Sequence, residues 1–215
     1  MRILLALLAV AALAAGAYVL VVRDTAEPAG RVGSLTLVGD SLNVGTDPYL
    51  RDELEGWTID AHDRVGRQTW EGVEELRRLR ASLAPIVVVS LGTNDGDGTE
   101  AEFRDHVAQA IGIVGPRRCL LWATVVRAGA PRDGFNAVLE DARADHPNVR
   151  LVDWASLVER EPETLAFDTV HGTPEGYARR APCRARGSRA RARRARPSRR
   201  GARSSGRRGR PRARR

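Results

Sequence analysis

The sequence predicts an α/β domain in which five parallel strands form a sheet covered on both faces by helices. Three observations carry that expectation. Short apolar runs alternate with segments of helical spacing across residues 34–181. One run, Pro85–Leu91 (PIVVVSL), is apolar without alternation, as a strand buried on both faces must be. Hydrophobic residues make up 42% of the 215, enough for a sizeable core in one domain with appendages.

Each element has its own signal. Ser34–Val38 (SLTLV) reads as a first strand ending at Gly39, and Trp57–Ala61 (WTIDA) as a second. Val73, Leu76 and Leu79 recur at helical spacing before the third strand, Pro85–Leu91. Thr99 and Glu102 stand three apart, as in a capping box, where each side chain satisfies an orphan backbone N–H. Phe103, Val107, Ile111 and Val114 then make one apolar helix face, stopped at Gly115-Pro116. Cys119–Val126 (CLLWATVV) reads as the fourth strand. A helix carrying Phe135, Val138, Leu139 and Ala142 ends before Pro147, and Val149–Val152 (VRLV) follows as the fifth strand. Thr173-Pro174 opens a last helix, with Thr as cap and Pro pre-set at the first position. Parallel strands joined by helices need covering on both faces.

The two ends differ from this body. Residues 3–22 (ILLALLAVAALAAGAYVLVV) carry no charge, and as a helix they are long enough to cross a bilayer core of about 30 Å. Residues 1–23 are therefore a signal peptide or a signal anchor. Ala15-Gly16-Ala17 resembles a cleavage site, whereas the apolar run continuing through Val22 favours an uncleaved anchor. Arg2 favours a cytoplasmic N-terminus, so the rest is exported and faces outward. Residues 24–33 (DTAEPAGRVG) read as a linker.

The formal net charge of +8 hides an asymmetry. Residues 182–215 hold 16 of the 35 basic residues, all Arg, and none of the 27 acidic ones. The body is left with 19 basic against 27 acidic residues, a net of −8. The Arg-rich segment cannot build a core, so disorder is its expected state, with contact to polyanions through charge alone. It has no aromatics and no folded module, so specific nucleic-acid binding is not expected. Its abrupt Arg, Ala, Gly, Pro and Ser composition is also what a shifted reading frame in a GC-rich gene yields. Two cysteines exclude a disulfide framework. Cys119 reads as a small buried hydrophobe, Cys183 lies in the Arg-rich segment, and no zinc-type spacing exists.

In a parallel α/β sheet the ligand crevice lies beyond the carboxyl ends of the strands. That rule points to Gly39–Leu42, Asp63–Gly66 and Gly92–Asp95. Ser41 stands where strand turns into helix, beside exposed N–H groups that stabilise negative charge. Gly66 offers a backbone N–H with no side chain in the way, and Asn94 a carboxamide N–H. Asp168 and His171, three apart before a helix start, suit a carboxylate that fixes an imidazole tautomer. Taken singly, Ser41 fits a helix cap, and Gly66 and Asn94 fit turns. Asp40 and Asp95 read as structural, holding the loops that carry Ser41 and Asn94, and His62, His106 and His146, in polar surroundings, as taking no part in catalysis. Trp57, Trp70, Trp122 and Trp154 read as core, although Trp70 lies close enough to Gly66 to border a pocket.

The blocks GDSL (Gly39–Leu42), VGR (Val65–Arg67), GTND (Gly92–Asp95) and DTVH (Asp168–His171), in this order, resemble the SGNH/GDSL hydrolases. The resemblance spans roughly residues 34–181. It implies a flavodoxin-like three-layer α/β/α fold, with Ser41 as nucleophile, His171 as general base and Asp168 as its orienting partner. It implies an oxyanion hole from the Ser41 and Gly66 N–H groups and the Asn94 side chain, and neither metal nor organic cofactor. The expected activity is that of an exported serine esterase acting on acyl esters of small molecules, lipids or glycans. An O-acyltransferase acting on cell-envelope glycans is the first alternative. A catalytically idle body whose Arg-rich segment binds polyanions is the second. An imidazole base must be unprotonated, so activity should rise through about pH 6–7.

Overall fold

The computed structural model describes residues 33–181. The expected leader at 1–23, the expected linker up to residue 32, and the Arg-rich segment 182–215 with Cys183 lie outside the described residues. In chain order the elements are β1 (Ser34–Gly39), α1 (Ser41–Glu53), β2 (Thr58–Ala61), α2 (Thr69–Leu79), β3 (Ile86–Ser90) and α3 (Glu100–Val114). There follow β4 (Cys119–Ala123), β5 (Val126–Arg127), β6 (Ala130–Pro131), α4 (Asp133–Asp145), β7 (Val149–Val152) and α5 (Trp154–Arg160). A helix over residues 174–181, α6, closes the described part.

Five strands form one parallel sheet in the order β2-β1-β3-β4-β7. The expected three-layer architecture is therefore present. Successive strand residues point to opposite faces, so the apolar run of β3 feeds two cores at once. Val87 and Val89 join Val38, Leu120 and Trp122 under α2, α3 and α4, against Val73, Leu76, Phe103, Val107 and Leu139. Ile86 and Val88 face the other way, with Leu35, Leu37 and Leu121, against Leu50 of α1 and Ala181 of α6. Cys119 belongs to this second core and is buried, as expected. The capping box at the start of α3 forms as read: the Thr99 hydroxyl accepts from the Glu102 N–H, and Glu102 accepts from the Thr99 N–H.

The fourth strand is shorter than the sequence suggests. Its apolar run continues to Val126, but the sheet strand stops at Ala123. Beyond it the Asn136 carboxamide substitutes for a neighbouring strand. Its Oδ1 accepts from the Val125 N–H at 2.7 Å, and its Nδ2 donates to the Val125 carbonyl at 3.0 Å. The chain then forms the small antiparallel hairpin β5–β6 around Ala128 and Gly129, both at positive φ. Helix α5 was not apparent in the sequence because it has only seven residues; the Asp153 carboxylate caps it through the Ser156 N–H.

Strand order reverses between β1 and β3, which connect outward in opposite directions. Their register pairs Gly39 with Ser90, so both chains leave the sheet side by side at the same rim. This is the switch point at which doubly wound sheets open a crevice.

Candidate active site

Ser41 is the first residue of α1, directly after the turn out of β1. It is not the cap of that helix. Asp40 is fully buried and takes that role, its Oδ1 accepting from the Leu42 N–H at 3.0 Å. The Ser41 hydroxyl is left for other work, at a helix N-terminus whose dipole favours negative charge. Gly39 is fixed by close approach, since a Cβ there would stand 2.3 Å from the Asn43 amide nitrogen.

The acid and the imidazole come from the far end of the chain. Residues 165–172 form a loop closed by an antiparallel bridge between Leu165 and Gly172. Within it the Ala166 N–H donates to the His171 carbonyl at 2.8 Å. Asp168 Oδ1 accepts from the backbone N–H groups of Val170 and His171, at 3.0 and 2.9 Å, which tightens the turn around the pair. Thr169 sits at φ 58°, costly for a β-branched residue, and its carbonyl accepts from the Gly129 N–H of the β5–β6 hairpin at 2.8 Å. The hairpin thus braces the turn.

The three side chains meet. His171 Nδ1 lies 2.7 Å from Asp168 Oδ2, and His171 Nε2 lies 2.9 Å from Ser41 Oγ. The hydrogen bond from the imidazole, with the two backbone N–H bonds, pulls the Asp168 carboxyl down to about 2. Asp168 is therefore a carboxylate at any working pH, and it holds the proton of His171 on Nδ1. Nε2 is then bare toward the Ser41 hydroxyl. Such a chain of groups activates a hydroxyl for nucleophilic attack.

Two loops complete the rim. Asn94 is brought over the Ser41 turn, with Nδ2 donating to Asp40 Oδ2 at 3.2 Å and to the Arg67 carbonyl at 3.3 Å. Both donors of the carboxamide are thus engaged, through long bonds. The loop with Gly66 is tied to the same turn: the Arg64 N–H donates to the Gly39 carbonyl at 3.0 Å, and Asn43 Nδ2 to Asp63 Oδ1 at 2.8 Å. Gly66 has φ 73°, which requires glycine, and a Cβ there would meet open space. Asp95 is structural as expected, accepting from the Thr69 N–H at 2.8 Å. His62 pairs with Asp60 and Glu75. Trp122 and Trp154 are core and Trp57 packs on it, whereas Trp70 is half exposed.

Sequence reading missed the arginines that hold these loops. Arg132 Nη1 donates to the Gly92 carbonyl at 3.0 Å, and its Nη2 donates to the carbonyls of Gly96 and Gly98 at 3.1 and 3.0 Å. Its guanidinium also lies 3.5 Å from the centre of the Phe135 ring. It clamps both ends of the Asn94 loop. Arg180 of α6 is buried and donates to the Leu42 carbonyl at 2.9 Å and to the Ser90 hydroxyl at 2.8 Å. No spacing in the sequence announces either. Among the described residues no group of three or more His, Cys, Asp or Glu side chains is arranged so that it could hold a metal ion. Nor is any described helix long and apolar enough to cross a membrane.

Comparisons with known proteins agree with this architecture. No family model matches the chain. The chain is 29% identical over 160 residues to peptidoglycan O-acetyltransferase OatA of Listeria monocytogenes, covering 72% of this chain and 24% of that protein. YrhL of Bacillus subtilis, provisionally named for the same activity, is 28% identical over 155 residues, covering 70% and 23%. The chain thus spans about a quarter of the length of the curated relatives it matches. The OatA C-terminal catalytic domain of Streptococcus pneumoniae superposes with a TM-score of 0.62 at 19% identity, covering 75% of this chain and 94% of that one. A GDSL-like lipase of Bacteroides thetaiotaomicron gives 0.60 at 16% identity, covering 82% and 97%. By its sheet and by these neighbours, the chain has the SGNH/GDSL hydrolase fold that its four motifs led one to expect.

Proposed function

We propose that this chain is a serine enzyme that moves O-acyl groups of cell-envelope glycans through an acyl-enzyme on Ser41. One observation carries the reading: Asp168, His171 and Ser41 are joined by contacts of 2.7 and 2.9 Å at the switch point of the sheet. Ser41 Oγ attacks the ester carbonyl while His171 Nε2 takes its proton. The developing oxyanion is received by the N–H groups of Ser41 and Gly66 and by the Asn94 carboxamide. Asn94 must turn one N–H from its long bond to Asp40 or Arg67 toward that oxygen. Loss of one such donor costs about 100- to 1000-fold in turnover. Collapse of the tetrahedral intermediate expels the alcohol, which takes the proton from His171. An acceptor hydroxyl then releases the acyl group by the same steps in reverse.

The names of both curated relatives support a sugar hydroxyl as acceptor. They also support an exported position facing the envelope, with residues 34–181 as the catalytic domain. Hydrolysis is the second reading, favoured by the openness of the site: the His171 and Asp168 side chains are 42% and 38% exposed, within reach of water. The test is incubation with nitrophenyl acetate and a β-1,4-linked N-acetylglucosamine oligomer. Transfer predicts acetylated oligomer by mass spectrometry, absent with Ser41→Ala. Free acetate alone, at an unchanged rate with or without oligomer, would contradict transfer and leave hydrolysis.

A further inference from the structure

Beside the Asn94 loop a cleft of about 270 Å³ opens between the starts of α2 and α3. Gln68, Trp70, Asp95, Glu102, Phe103 and His106 line it. Gln68 lies two residues after Gly66, and Asp95 follows Asn94, so the chain segments that carry two of the proposed oxyanion donors run on into the wall of the cleft. Trp70 is 51% exposed, and its indole N–H donates to Gln68 Oε1 at 2.6 Å, which fixes the ring. Among the described residues the exposed large hydrophobics are Val44, Val65, Trp70 and Phe167. Each stands within four positions of Ser41, Gly66 or Asp168. Of these four, Trp70 lines the cleft, where it leaves an aromatic face open to a ligand.

We infer that this cleft is a sugar-ring subsite in which the Trp70 indole stacks on the C–H face of a pyranose. The inference rests on the acyl-enzyme reading and names the class of substrate that the site holds. A sugar ring has an apolar face and a rim of hydroxyls, and the cleft matches both. The indole supplies a rigid flat platform, while the Gln68, Asp95, Glu102 and His106 side chains supply donors and acceptors for hydroxyls. Asp95, Gln68 and Glu102 each use one acceptor oxygen internally, and an acyl chain would strip water from the polar capacity they keep beyond those bonds, which is unfavourable. The volume, at the small end for ligand pockets, suits one ring rather than a long chain.

The test is calorimetric titration of a β-1,4-linked N-acetylglucosamine tetramer into Ser41→Ala, Ser41→Ala/Trp70→Ala and Ser41→Ala/Trp70→Phe proteins, each first shown folded by circular dichroism. The tetramer should bind the Ser41→Ala protein. Affinity should fall at least about 10-fold with Trp70→Ala and stay within about threefold with Trp70→Phe, which keeps an aromatic face. In the Ser41-intact Trp70→Ala variant, KM for the oligomer should rise with kcat held. Equal binding by Ser41→Ala and Ser41→Ala/Trp70→Ala would overturn the subsite. So would octanoate binding that displaces the tetramer and is itself lost with Trp70→Ala, because the cleft would then be an acyl slot. A fluorophosphonate probe separates the two levels. Labelling of Ser41 without tetramer binding refutes the subsite alone. Tetramer binding without labelling refutes the acyl-enzyme and leaves the subsite standing.

Discussion

Asp168 illustrates how one residue sets the behaviour of the site. Its carboxylate accepts two backbone N–H groups and the imidazole, and it titrates at about 2 rather than in the ordinary range. A depressed folded-state value means that its stabilising contribution is complete above the ordinary aspartate range and fades as pH falls toward 2. The gap in melting temperature between wild type and Asp168→Asn should therefore narrow as pH falls from about 4 to about 2. A constant gap across that range would contradict the assignment. That Ser41, Asp168 and His171 belong together was legible because each sits in a short motif at a strand end or a helix start, and their side chains do meet. The role of Asp40 was legible only in outline. That it, and not Ser41, caps α1 depends on side-chain direction at the turn, which residue type alone does not specify. The double engagement of the Asn94 amide was invisible for the same reason, since its acceptors are 54 and 27 positions away.

At the level of elements, the strands were legible where burial on both faces forces a continuous apolar run, as in β3. At Cys119–Val126 apolar character outlasts the strand, which ends at Ala123. There the side chain of Asn136, eleven residues on, supplies the hydrogen bonds that a strand neighbour would. Asn136→Ala would leave the Val125 N–H and carbonyl without partners and should cost about 1–3 kcal/mol in denaturant unfolding. A loss below about 0.5 kcal/mol would show that water replaces the amide. The Arg132 clamp belongs to this scale too. Arg132→Ala should lower kcat for nitrophenyl acetate by about 10- to 100-fold through displacement of Asn94. Lysine should rescue little, because a point charge cannot reach three separate carbonyls. Full rescue by Arg132→Lys would contradict a clamp based on the guanidinium fork.

For the whole molecule, alternation of elements indicated a parallel sheet, but not the order of its strands. That order depends on the pairing of β1 with β3, a contact across some fifty residues that no periodicity records. The last helix carries a similar long-range tie. Arg180 is buried between α1 and β3, and hydrogen-bonds the helix that begins at Ser41. Arg180→Ala should lower stability by about 1–3 kcal/mol while the folded fraction still reacts at Ser41. Loss of that reaction in folded protein would give Arg180 a direct part in the site. The consequences for reactivity assume that a hydroxyl, an imidazole and a carboxylate brought together from distant parts of the chain form one reacting unit. The most direct measurement is the rate at which a fluorophosphonate modifies the protein, with the modified residue mapped by mass spectrometry. Modification should fall on Ser41, vanish with Ser41→Ala and slow by at least about 1000-fold with His171→Ala. Equal rates in wild type and His171→Ala, or a label at another residue, would contradict the account.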